Sequence, residues 1–147
     1  MNIDLLKYVV DYGLIGLLGF MSFLSIWLYF ERLLFFKSIQ LNEYKEKELL
    51  EIDLTKNMTI ISSTASNAPY IGLLGTVFGI MITFYTMGIS SDIDVKIIMS
   101  SLALALKVTA MGLVVAIPSM FFYNHLARKI EVIIALWDVQ KREDSAA

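Results

Sequence analysis

Cysteine is absent from this chain, histidine occurs once and proline twice. Without cysteine there is no disulfide frame, no thiol nucleophile and no thiolate metal site. One histidine excludes a histidine-rich metal centre. Charge is also scarce, at 18% of the 147 residues, against about 25% in soluble domains. The formal net charge of −2 gives no overall attraction to nucleic acid. No nucleophile–base set, no carboxylate pair in a cleft and no phosphate-cradling glycine loop ending in Lys-Ser or Lys-Thr is present. The expectation is therefore a protein that is not an enzyme, with no cofactor and no metal.

What is abundant is apolar. Hydrophobic residues make up 57% of the chain, and the mean hydropathy is +0.68. A chain of this size leaves about a third of its unfolded surface exposed, so that surface has to meet lipid. The first charge-free run, Tyr12 to Phe30, is 19 residues long. As a helix it covers about 28 Å, one hydrocarbon core. Glu31 and Arg32 end it, and no small-residue cleavage site follows, so it reads as a retained span rather than a signal peptide. The second run, Asn57 to Ser91, opens with a polar stretch, Ser62 to Pro69, and becomes apolar from Ile71 to Ile89. The third, Ile97 to Tyr123, is broken by one charge, Lys107. Asp92-Ile93-Asp94 leaves room only for a tight turn between runs two and three.

These features predict an all-α membrane protein and one domain over 1–147. Its transmembrane helices lie at about 10–32, 69–91 and 97–124, and its cytoplasmic parts at 33–68 and 125–147. Two basic residues, Lys7 and Lys96, lie on one side, and nine lie in the loop after helix one and in the C-terminal tail. Positive loops stay cytoplasmic, so the N-terminus and the hairpin turn are expected outside and the C-terminus inside. Leu41 to Ile52 is rich in helix formers and predicts a cytoplasmic helix. Leu126, Ile130, Ile133, Ile134 and Trp137 recur at helical spacing, and no Gly or Pro lies between Ser119 and Lys141. The third helix is therefore expected to run on for about 60 Å or more, with its apolar stripe covered in a homo-oligomer. The tail from Glu143 is expected to fray.

Two stripes of small and hydroxyl residues carry the functional signal. Helix two bears Gly72, Thr76, Gly79, Thr83, Thr86 and Ser90, and helix three bears Ser101, Ala105, Thr109, Gly112, Ala116 and Ser119, all three or four apart. Such spacing places each set on one face. One reading is close packing through Gly72, Gly75, Gly79 and Gly112, since small residues let backbones approach. The other is a hydrated ion path lined by Thr76, Thr109, Thr83, Thr86 and Ser101. One chain of three helices cannot enclose water, so that path requires several copies. Gly13, Gly16, Gly19 and Ser22 on helix one suggest a packing seam.

Lys107 is the outlier. An unpaired lysine at mid-helix costs about 2.5–3.5 kcal/mol on insertion scales. No acidic residue lies within the three apolar spans. Two readings stand side by side: Lys107 faces a carboxylate on a different polypeptide, or it reaches a carbonyl or water in its own bundle.

The run Ala68-Pro69-Tyr70-Ile71-Gly72-Leu73-Leu74-Gly75-Thr76-Val77-Phe78-Gly79-Ile80-Met81, followed by Thr109-Ala110-Met111-Gly112-Leu113-Val114-Val115-Ala116-Ile117-Pro118 and Tyr123-Asn124, resembles the ExbB/TolQ/MotA proton-channel family, its short ExbB members most closely. The resemblance implies a homopentamer in the bacterial inner membrane. A single-span ExbD-like protein would sit in its pore, with a TonB-like protein attached. It implies proton-motive-force-driven energy transduction that powers import across the outer membrane, and pore-facing roles for Thr76 and Thr109. The alternatives are a TolQ-like subunit of the Tol-Pal envelope system and a passive scaffold without ion flow. The partners expected are lipid and protein, not nucleic acid. Many family members carry a glutamate five residues before the threonine matched by Thr109. Leu104 stands there in this chain, so that glutamate's role does not carry over.

Overall fold

The computed structural model of the chain describes residues 3–89 and 94–146. Ser90 and the turn residues Asp92 and Ile93, singled out above, lie outside them. Four helices account for nearly all the described residues: α1 (Ile3–Ser38), α2 (Lys47–Thr55), α3 (Met58–Ile89) and α4 (Val95–Ala146). Three of them, α1, α3 and α4, are long and apolar enough to cross a membrane.

Each boundary has a local cause. Asn57 takes a left-handed φ of 66°, a conformation asparagine tolerates, and this separates α2 from α3. Asp94 opens α4: its carboxylate accepts from the Lys96 backbone N–H at 2.8 Å. The polar entry to α3 is helical because its hydroxyls turn back on the helix. Thr64 donates to the Ile60 carbonyl at 3.0 Å and Ser66 to the Ser62 carbonyl at 2.9 Å. α3 therefore begins a full three turns before Pro69, and Pro69 and Pro118 both sit inside helices.

Two expectations change. The segment Leu41 to Ile52 is not one helix. It holds a single 3₁₀ turn at Leu41–Glu43, then extended residues, then α2 from Lys47. Tyr44 is the reason: its carbonyl accepts from Trp137 Nε1 at 3.2 Å and its hydroxyl donates to Asp53 Oδ2 at 2.8 Å. Burial, with the Asp53 carboxylate beside it, pushes that hydroxyl's pKa above its ordinary value. The tail does not fray at Glu143, because α4 continues to Ala146 with Ser145 bonded back to the Lys141 carbonyl. At 52 residues α4 is about 78 Å long.

α1 and α4 run parallel, and α3 runs antiparallel to both. The α3–α4 pairing is the most extensive. Two cores result. One joins Leu18, Ala68, Val108, Val115 and Ala116 between the three long helices. The other joins Leu50, Leu54, Met58, Ile61, Leu126, Ile130 and Trp137 around the extensions. At the latter end Arg32 is buried. It donates to the Asp53 carbonyl at 3.0 Å and to Glu31 at 2.8 Å, with its guanidinium 4.6 Å from the Phe35 ring centre.

Candidate functional site

The two stripes meet each other. A Cβ on Gly72 would lie 2.9 Å from the Thr109 Cα, and one on Gly79 2.5 Å from the Ala105 Cβ. On Gly75 it would lie 2.5 Å from a Val108 methyl, and on Gly112 2.6 Å from the Ala68 carbonyl oxygen. No side chain fits at those distances: α3 and α4 touch backbone to backbone at Gly72 and Gly112, while Gly75 and Gly79 make room for the Val108 and Ala105 side chains. Gly13, Gly16 and Gly19 on α1 differ: nothing lies within 4 Å of a Cβ built there, so no seam forms at them within the chain.

Hydroxyls stitch the seam. Thr109 donates to the Gly72 carbonyl at 2.9 Å, and Thr76 lies 3.3 Å from the Ala105 carbonyl. The two threonine hydroxyls are also bonded to each other. Both residues are half-buried, at the rim of the contact rather than inside it. Thr83 is buried and donates to the Gly79 carbonyl at 2.7 Å, as Ser119 does to Val115 at 2.8 Å. Thr86 is exposed with its hydroxyl 2.8 Å from the Ile82 carbonyl, and Ser101 is half-buried. The geometry therefore sorts the stripe. The glycines, with Ala105 and Thr83, pack within the chain, while Thr76, Thr109, Thr86 and Ser101 keep an accessible side.

Lys107 lies elsewhere. It is exposed on a groove of about 280 Å³ between α1 and α4, shared with Lys7, Tyr8, Asp11, Tyr12 and Leu104. Asp11 lies one residue before the charge-free run from Tyr12 but within the expected 10–32 helix, and α1 passes through it unbroken from Ile3. Among the described residues no group of three or more His, Cys, Asp or Glu could hold a metal ion.

Three helices long and apolar enough to cross a bilayer, two of them clasped through glycines and threonines, define a polytopic membrane protein with hydroxyls along a helix seam. Residues 33–139 match the MotA/TolQ/ExbB proton channel family, and the chain belongs to it. An ExbB-like biopolymer transport protein of Helicobacter pylori is 51% identical over 134 residues, covering 91% of this chain and 89% of its own. A biopolymer transport protein ExbB of the same species is 48% identical over 140 residues, covering 95% and 97%. That of Aquifex aeolicus is 47% identical over 142 residues, covering 97% and 96%.

Proposed function

We propose that this chain is the pore-forming inner-membrane subunit of a proton-motive-force-driven complex of the ExbB–ExbD–TonB type, with its N-terminus periplasmic and its C-terminus cytoplasmic. Several copies, five by the resemblance, turn the rim of the α3–α4 seam toward a shared axis. A single-span ExbD-like partner occupies that axis and a TonB-like protein attaches outside it. The observation that carries this reading is the Thr76–Thr109 hydroxyl pair, half-buried at the edge of a seam whose interior is closed by glycine. Hydroxyls placed there hold water and contact a partner without titrating themselves. The titrating carboxylate comes from the partner, since Leu104 replaces the glutamate. Each charge crossing the membrane releases about 2.3 kcal/mol per 100 mV, enough to drive a rearrangement when several cross. The exposed Leu73, Val77, Leu106 and Ile117 beside the seam leave an apolar face for neighbouring copies.

The test is energised uptake in cells whose own copy is deleted, complemented with Thr76→Ala, Thr109→Ala and the double variant. Single variants are expected to lower uptake several-fold and the double variant to abolish it at normal protein level. Wild-type uptake in all three would leave the chain a passive scaffold.

A further inference from the structure

Lys107 is the one charge within the third apolar run, and the ion-path reading does not use it. Its surroundings follow from helix register. Tyr29 Oη and His125 Nδ1 are 2.8 Å apart, a contact between α1 and α4 at a sequence offset of 96. Lys107 and Asp11 have the same offset. Each lies 18 residues before its counterpart in the Tyr29–His125 contact. Eighteen residues are five helical turns at about 3.6 residues per turn, about 27 Å along the axis, and although Pro118 lies between Lys107 and His125, the groove that Asp11 and Lys107 share shows that the face is kept. Parallel helices that touch at Tyr29 and His125 thus bring Asp11 and Lys107 level on one groove, where both line the wall. Side chains on a helix tilt toward its N-terminus. On parallel helices both side chains therefore lean the same way, toward the N-terminal side of the membrane, the usual escape for a lysine in lipid.

We infer that Asp11 is the counter-ion of Lys107 within the same chain: the two side chains line one groove without being in ion-pair contact in the structure, and a change of rotamer closes the gap. The pair holds α1 against α4 inside the membrane, about five turns from the contact that Tyr29 makes with His125. Lys7 lies one turn from Asp11 on the same groove and adds a second cation near the water. Asp11 serves Lys107 first, because an ammonium within the apolar layer gains more from a carboxylate than one at its boundary. Lys107 is then a positioning residue engaged inside its own subunit, and no carboxylate on another polypeptide is needed to neutralise it. The inference rests on the helix register and the shared groove, and it stands whether or not the chain conducts ions.

The chain is free of cysteine, so Asp11→Cys and Lys107→Cys can be combined in the full-length protein in native membranes and oxidised. A cross-link that leaves the chain running as a monomer is expected. Cross-linking into dimers or ladders would place the contact between copies and overturn the inference, as would no cross-link at all. Thermal stability of the detergent-extracted complex supplies the chemistry. Asp11→Asn and Lys107→Met should each lower the midpoint by a few degrees, and the double variant by no more than the worse single. The exchange Asp11→Lys with Lys107→Asp should recover at least half of the loss. Additive losses, or no recovery, would overturn the pairing.

Discussion

The span region and the extension region of this chain solve the same problem with opposite residues. Between the long helices the core is Ala68, Val108, Val115, Ala116 and Leu18, and its closest contacts are made by glycine. Around the extensions the core is Leu50, Leu54, Ile61, Leu126, Ile130 and Trp137, all nearly or wholly buried. The difference follows from the solvent. Lipid tails are as apolar as leucine, so apolar burial drives no association inside a bilayer. Contact there comes from backbones brought close by small residues and from hydrogen bonds such as Thr109 to Gly72. In water, burying a large apolar side chain is the main favourable term. One helix, α4, passes through both regimes and changes composition as it does so. It presents Ala105, Gly112 and Ala116 in the first and Leu126, Ile130 and Trp137 in the second.

That contrast breaks most visibly at Trp137. Trp137→Ala should cost about 3–5 kcal/mol in the extension region, through the cavity left and the lost bond to the Tyr44 carbonyl. Limited proteolysis should then cut between 39 and 57 while the three membrane helices remain protected. Equal exposure of both regions would mean that they do not form separate cores.

Gly112 is the counterpart in the membrane. An added methyl would sit 2.6 Å from the Ala68 carbonyl oxygen and 3.0 Å from the Gly72 Cα, with backbone rather than a movable side chain in the way. Gly112→Ala should force α3 and α4 apart at a cost of about 1–3 kcal/mol. Gly19→Ala, with nothing within 4 Å, should be silent in the isolated chain and serves as the control. The check is the temperature at which the detergent-extracted protein loses helical circular dichroism. Equal behaviour of the two variants would sink the close-contact account of the seam.

The membrane helices were legible because bilayer length and small-residue spacing are local patterns. The stripe positions follow from counting threes and fours along the chain. Which neighbour the stripes face is not a local property. Gly13, Gly16 and Gly19 repeat at the same intervals as the residues of the α3–α4 seam yet touch nothing in the chain. Tyr44 was unreadable for the same reason: the partners that hold it extended are Trp137, far along the sequence, and Asp53. Arg32 read as the end of a span, but its guanidinium is buried against a carbonyl from the next helix. Asp11 falls inside the expected 10–32 span but just outside the charge-free run from Tyr12, and α1 passes through both without a break.

The smallest effect lies where α2 touches α4 in water. Lys47 Nζ and Asp138 Oδ2 are 2.7 Å apart, with both side chains more than a third exposed. The hydrogen bond to Asp138, aided by its negative charge, holds the Lys47 ammonium above its ordinary pKa of 10.5. A raised pKa in the folded state means that folding favours the protonated lysine. The stability it adds is therefore fully present below about pH 10.5 and is lost as the pH rises through the folded value. Solvent screening keeps the contribution small. Lys47→Met should lower the unfolding midpoint slightly at neutral pH, and the gap to wild type should close above about pH 10.5, where the unmodified chain loses the pair as well. High salt should narrow the same gap at neutral pH, whereas the Gly112→Ala loss should not respond to salt. A Lys47→Met difference that persists unchanged at high pH and in high salt would mean that the lysine stem packs against α4 and that its charge contributes nothing.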